Sequence, residues 1–263
     1  MDKIGKLKTV LKNLKRVIVA YSGGLDSTFL LKVAIDRLGK DNVLAVVARS
    51  ETYPYSEYCE AKQIAKRIGA KLITINTKEL EIKNFKSNPV NRCYSCKKEL
   101  FKMLDAIRKK RKMDYILDGA NLDDLKDVRY GMKAAKELGV HSPLLEARLR
   151  KKDIRQLSRR LKLPTWNKPS FACLASRIPF NSEITKTDLK KISEAETYLR
   201  RLGLKQVRVR LHKDIARLEV LKSDFARALE LRDLIVRRLK KIGFVYVTLD
   251  LCGYRTGSMH EAM

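Results

Sequence analysis

The stretch that most constrains this chain runs from Arg16 to Gly39. A β-branched apolar run, RVIVAY (16–21), ends at Ser22-Gly23-Gly24-Leu25-Asp26-Ser27. The residues that follow place Phe29, Leu30, Val33, Ala34 and Leu38 at helical spacing before Gly39 closes the pattern. Strand, glycine turn and helix in that order leave few folds open. The pattern recurs in VLAVVA (43–48), a helical stretch through 58–68 closed by Gly69, KLITI (71–75) and DYILDGA (114–120). Continuous apolar strands alternating with helices predict an α/β fold whose mostly parallel sheet carries helices on both faces. Ligands of such sheets sit at the carboxyl ends of the strands, where the Gly-Gly turn lies.

Gly23 and Gly24 let backbone N–H groups approach a phosphate, the helix start adds favourable partial charge, and Ser22 and Ser27 add hydroxyl donors. The loop lacks the G-K-[ST] ending of a Walker A loop and is not the G-x-G-x-x-G dinucleotide fingerprint. Asp26, a carboxylate among phosphates, makes chemical sense as a holder of Mg²⁺ or of polar ligand groups. This S-G-G-x-D-S string, in its strand–helix setting, resembles the pyrophosphate loop of the ATP pyrophosphatases, the PP-loop family with its adenine nucleotide alpha hydrolase-like fold. The resemblance implies ATP cleavage between the α- and β-phosphates, with adenylation of a carboxylate, carbonyl or base.

Five cysteines is an odd number for a secreted disulfide framework. Cys93 and Cys96 form a C-x-x-C pair in NRCYSCKKELF, expected in a loop entering a helix, and Cys173 follows in KPSFACLASRIP. Three thiolates in two irregular segments form a ligand set for a [4Fe–4S] cluster with one open iron; the pair by itself also admits a redox dithiol or unligated thiols. Cys59, Cys252 and the three histidines offer no zinc spacing. Lys168 and Arg177 flank Cys173 and would favour its thiolate.

Pro164, Pro169 and Pro179 mark residues 163–180 as an ordered loop or linker. We expect a boundary near its end, giving residues 1–178 as the nucleotide domain and 179–263 as a small α+β domain in αββαβ order: a helix over 186–202, strands KQVRVRL and ARLEV, a helix over 224–242, and strand FVYVTLDL. Arg208 and Arg210 share one face of their strand, where they either converge on an anion or lie solvated at a sheet edge. Glu196 and Arg200 are spaced for an ion pair one helical turn apart. Asn121, Asp123, Asp124 and Asp127 follow the fourth strand at the ligand edge, some to face a nucleotide and others to cap a helix.

The strings NPVNRCYSCKKELF, DGANLDDLKDVRYGMKAAKELGVHSPLLEA, LPTWNKPSFACLASRIP and RVRLHKDIARLEV, with the SGGLDS loop, closely resemble the LarE family of ATP-dependent sulfur transferases over nearly the whole chain. Such proteins convert a carboxylate of pyridinium-3,5-biscarboxylic acid mononucleotide to a thiocarboxylate during synthesis of the nickel-pincer nucleotide cofactor. The resemblance implies catalytic roles for Asp26, Cys93, Cys96 and Cys173, and ATP contacts at Ser22, Gly23, Gly24, Asp26, Ser27, Asn121 and Asp123. It implies substrate-phosphate contacts at Ser176, Arg177, Arg208 and Arg210, with Glu196 nearby. Within the family some members sacrifice the sulfur of a cysteine at the position of Cys173, and others hold a [4Fe–4S] cluster on three cysteines. Cysteine at all three matching positions points to the cluster branch, served by a sulfide source. The family also implies a homo-oligomer.

The formal net charge of +28 is spread evenly over the chain and suits either a nucleic-acid partner or a generally basic surface. It favours the alternative of a tRNA-thiolating PP-loop enzyme, yet no zinc-finger cysteine pairs and no RNA-binding motif accompany it. A nucleotide sensor without chemistry is a further alternative, against which the intact Asp26, Ser27 and cysteine set counts. No apolar run approaches the roughly 20 residues that span a bilayer, and the basic amphipathic start has no signal-peptide core, so a cytoplasmic address is expected.

Overall fold

In chain order the elements of the computed structural model are α1 (Lys3–Lys12), β1 (Val17–Ala20), α2 (Leu25–Leu38), β2 (Val43–Arg49), α3 (Tyr55–Arg67), β3 (Lys71–Asn76), α4 (Lys83–Lys86), α5 (Arg92–Lys110), β4 (Tyr115–Leu117), α6 (Tyr130–Glu137), α7 (Pro143–Glu146), α8 (Lys151–Arg160), α9 (Lys186–Arg201), β5 (Val207–His212), β6 (Ile215–Val220), α10 (Phe225–Glu230), α11 (Arg232–Ile242) and β7 (Tyr246–Leu249). The structure describes residues 2–126, 130–204, 206–255 and 257–260. Contacts divide the chain into two compact units, residues 1–78 with 91–171, and residues 79–90 with 172–263.

In the first unit four parallel strands lie in the order β3-β2-β1-β4. Period-two alternation sends Val17 and Val19 of β1, with Val43, Ala45 and Val47 of β2, into one core shared with α1, α2, α3 and α8. Ile18 and Val46 point the other way, into a core built with Phe101 and Leu104 of α5 and Ala135 of α6. Apolar residues on both faces are why these strands read as unbroken hydrophobic runs. The chain winds from β1 outward to β3 and then returns to the other side of β1 with β4. A topological switch point therefore falls between β1 and β4.

The second unit holds a three-stranded sheet in the order β5-β6-β7, antiparallel between β5 and β6 and parallel between β6 and β7. Leu189, Ile192 and Leu199 of α9, Val207 and Val209 of β5, and Ile235 and Leu239 of α11 are buried in this unit. The expected single helix over 224–242 is two helices that meet at Leu231 (φ −88°, ψ 6°). The expected division at residue 178 and the contact division differ in the loop 172–178 and in the excursion 79–90. Asn88 explains the excursion. Fully buried at φ +57°, it donates from Nδ2 to Ile178 O (3.3 Å) and Pro179 O (2.7 Å), and its carbonyl accepts from Asn181 N (2.9 Å).

Candidate functional site

The Ser-Gly loop leaves the carboxyl end of β1 and opens α2, with Gly24 at the N-cap position. Gly23 sits at φ +64°, and a Cβ there would come within 2.5 Å of Ala61 Cβ and 2.8 Å of Ala61 Cα on α3. Only glycine fits, for reasons of both conformation and space. Ser27 folds back over the turn: its Oγ accepts from Ser22 N (3.2 Å) and lies 3.0 Å from Ser22 Oγ. Asp26 occupies the first turn of α2, half-buried. On the other side of the switch point, a Cβ on Gly119 would stand 3.2 Å from Ser27 N and 3.4 Å from Asp26 Cβ, so the loop after β4 lies against the start of α2. A glycine-walled turn, a helix N-terminus and a carboxylate at one sheet edge suit a nucleoside triphosphate and its cation.

Asn121 and Asp123 form a folded turn. Asn121 is fully buried; its Oδ1 accepts from Asp123 N (3.0 Å), and its own N–H donates to Asp124 Oδ2 (3.1 Å). Asp123 Oδ2 accepts from Lys151 N at the first turn of α8 (2.9 Å), so this carboxylate caps a helix. Asp127 lies outside the described residues.

The back of the Ser-Gly loop is held by residues that no motif announced. Tyr53 Oη donates to Ser22 O (2.8 Å), and Lys168 Nζ donates to Gly23 O (3.4 Å), Glu57 Oε2 (2.9 Å) and Glu60 Oε2 (2.8 Å). Burial and the neighbouring Glu57 raise the Tyr53 phenol well above its ordinary value, so it stays an O–H donor. Lys168, singled out in the sequence as a neighbour of Cys173, thus places its three donors on these acceptors. Sequence showed Lys168 only as a neighbour of Cys173, since its partners stand more than a hundred residues away.

Cys93 and Cys96 lie in the opening turns of α5 itself, not in a loop before it. Helix geometry at i, i+3 puts the two side chains on one face. Cys93 and Cys173 are exposed and Cys96 is half-buried. Cys173 directly precedes a short turn of helix over Leu174–Arg177 in the second unit. Among the described residues, no three His, Cys, Asp or Glu side chains are gathered as a metal-holding group.

The arginines expected at a substrate phosphate are buried. Arg177, fully inaccessible, grips Glu196 with two parallel bonds (Nε to Oε1, 2.8 Å; Nη2 to Oε2, 3.0 Å), while its Nη1 donates to Ala172 O, Cys173 O and Ser176 Oγ. Glu196 also accepts from Arg200 (2.6 Å) and Val209 N (3.2 Å). Burial alone would raise the Glu196 carboxyl, but the charge and bonds of Arg177, with Arg200 and Arg208, hold it below its usual range. Arg210 donates to Ser176 O (2.8 Å), Glu219 (2.7 Å) and Ser258 Oγ (2.9 Å). Arg208, 5% exposed, lies over the Tyr254 ring at 5.3 Å, and burial and the nearby Arg177 charge depress its pKa to about 10. The two strand arginines are therefore not solvated at the sheet edge. Glu219 and Ser258, which complete the Arg210 cluster, carried no sequence signal.

Parallel strands, the glycine cradle and the β1/β4 switch point define an ATP-using α/β protein of the PP-loop type. The family model for NAD synthase matches residues 5–121, through β4 and the turn that follows it. Over 98% of its length the chain is 40% identical to the pyridinium-3,5-bisthiocarboxylic acid mononucleotide synthase of Lactiplantibacillus plantarum, covering 93% of that protein. It is 42% identical to an uncharacterised protein of Synechocystis, over the whole chain and 98% of the relative. With an uncharacterised protein of Methanocaldococcus jannaschii the identity is 34%, over 97% of the chain and 98% of the relative. The chain belongs to the LarE family, which includes the Lactiplantibacillus synthase. Among the described residues no helix is long and apolar enough to cross a membrane.

Proposed function

We propose that this protein is an ATP-dependent sulfur transferase that turns a carboxylate of pyridinium-3,5-biscarboxylic acid mononucleotide into a thiocarboxylate, working in the cytoplasm as a homo-oligomer. The observation that carries this reading is the Ser22–Ser27 loop, packed so closely on α3 that Gly23 admits no side chain, at the switch point of a parallel sheet. Near full-length similarity to the Lactiplantibacillus synthase supplies the substrate class.

We assign ATP chemistry to the first unit. The Gly23 and Gly24 N–H groups, the start of α2 and the Ser22 and Ser27 hydroxyls would bind the β- and γ-phosphates, while Asp26 would hold Mg²⁺. A substrate carboxylate oxygen attacks the α-phosphorus and pyrophosphate departs. A sulfide-level nucleophile then adds to the acyl carbon, and AMP leaves with the original carboxylate oxygen. Adenylation is needed because a carboxylate by itself is a poor electrophile with a poor leaving group.

We assign the substrate's phosphate to Ser176, Arg208 and Arg210 of the second unit, with Arg177 and Glu196 holding the Cys173 loop. We assign Cys93, Cys96 and Cys173 as the thiolates that would hold a [4Fe–4S] cluster, the first two sharing one helical face and none of the three fully buried. Bound there, the cluster would supply sulfur at the sulfide level. The chain's own part is to present the thiolates and to keep the Cys173 backbone fixed through Arg177.

The test mixes protein, ATP, Mg²⁺, sulfide and the biscarboxylic acid mononucleotide, and follows AMP by chromatography and thiocarboxylate by mass spectrometry. AMP release that depends on the mononucleotide, reduced about 100-fold or more by Asp26→Ala, is expected, the scale of losing one charge-organising group from such a site. AMP release dependent on tRNA instead would replace this reading with tRNA thiolation, which the +28 charge would serve.

A further inference from the structure

The loop that would take the phosphates is held from behind at two consecutive peptide units. Tyr53 Oη donates to Ser22 O (2.8 Å), and Lys168 Nζ donates to Gly23 O (3.4 Å). A peptide unit is planar and trans, so its C=O and N–H point in opposite directions. Pinning Ser22 O therefore fixes where the Gly23 N–H points, and pinning Gly23 O fixes the Gly24 N–H. Among the described residues neither N–H finds a protein acceptor. Glycine at φ +64° cannot set this orientation through its own backbone preference, because glycine populates the mirror regions about equally.

The pins are themselves anchored. Lys168, whose side chain is 11% exposed, stands between Glu57 and Glu60 of α3. Its backbone carbonyl and that of Trp166 accept from Arg155 of α8 at 3.0 and 2.9 Å. The Tyr53 ring meets Phe171 edge-on at 6.3 Å. The segment 166–171 is thus tied to the phosphate loop directly through Lys168 and indirectly through the Phe171 contact with Tyr53.

We infer that Lys168 and Tyr53 are positioning residues that hold the Ser22–Gly23 and Gly23–Gly24 peptides with their N–H groups turned towards the bound polyphosphate. The inference rests on the proposed ATP site and adds residues that touch the loop and not the nucleotide. Without the ammonium, the Gly23 peptide is free to flip and present its carbonyl oxygen to the phosphates, where it repels them.

Calorimetric titration of Lys168→Met and Tyr53→Phe with ATP, inorganic pyrophosphate and AMP tests it. AMP lacks the phosphates that the loop would hold, so it separates loop orientation from general damage. Lys168→Met is expected to weaken ATP and pyrophosphate binding about tenfold, equal to about 1.4 kcal/mol, with AMP affinity changed less than about twofold. Tyr53→Phe keeps the ring against Phe171 and removes one pin; about a threefold loss confined to ATP and pyrophosphate is expected, and this variant decides the matter should Lys168→Met fail to fold. Equal losses for all three ligands, or no loss for any, would overturn the inference. Wild-type protein that binds neither ATP nor pyrophosphate would instead overturn the proposed ATP site, a result distinct from either.

Discussion

Glu196 shows what a single residue does in this structure and how little its sequence setting revealed. It sits one helical turn before Arg200, which suggests an exposed i, i+4 pair. In fact it is fully buried, holds Arg177 with two bonds and accepts from a strand N–H as well. Removing one partner from a buried, hydrogen-bonded charge pair strands the other charge, at a cost of about 3–5 kcal/mol. Glu196→Gln should therefore lower the unfolding free energy by about 3 kcal/mol in urea titrations at neutral pH, and a loss below about 1 kcal/mol would show that the pair is easily replaced. The pH dependence has a definite sign. The folded-state pKa is lower than the unfolded value of about 4.5, so the carboxyl's contribution is complete above 4.5 and disappears as pH falls through the folded value. The variant should lose the part of the acid slope that lies below 4.5. Sequence grouped Arg177, Arg208 and Arg210 as residues for a substrate phosphate. It could not show that carboxylates already satisfy two of them, because Glu196 and Glu219 reach them across separate elements.

At the level of elements, strand, turn and helix were legible because each has its own periodicity, and the apolar runs of β1 and β2 match burial on both faces. The start of α5 was not. NPVNR lacks a side-chain cap, Asn91 making no capping bond, so nothing in the sequence placed the helix start before Cys93. The excursion 79–90 stayed hidden for a similar reason, since Asn88 finds its partners some ninety residues along the chain. The Gly-Gly turn permits a sharper prediction. At Gly23 an added Cβ collides with Ala61 and the backbone stays at positive φ, whereas at Gly24 φ is −81° and the nearest atom, Ser22 Oγ, is 3.4 Å away. Gly23→Ala should cost about 2–5 kcal/mol, from left-handed strain of about 1–2 and overpacking of about 1–3. Gly24→Ala should cost less than about 1 kcal/mol. Thermal and urea unfolding of the two variants decides it, and equal costs would mean that α3 shifts freely to make room.

Across the whole molecule, ATP chemistry and the proposed sulfur chemistry draw on different parts of the chain. The phosphate loop and the Cys93–Cys96 pair belong to the first unit, and Cys173, held by Arg177 through its carbonyl, belongs to the second. The two functions should then be separable by mutation. Protein reconstituted with iron and sulfide without oxygen should carry about four irons per chain and absorb in the visible. Cys93→Ser should lose that iron while keeping ATP affinity, because the serine replaces a thiol at the start of α5 and leaves the Ser22–Ser27 loop untouched. Asp26→Ala should show the reverse, full iron content with AMP release abolished. Iron retained in Cys93→Ser would remove this thiol from the ligand set. An iron-free, colourless wild type that still makes one thiocarboxylate per chain would make Cys173 the sulfur donor itself, and its side chain would then be found as dehydroalanine, lighter by the elements of H₂S.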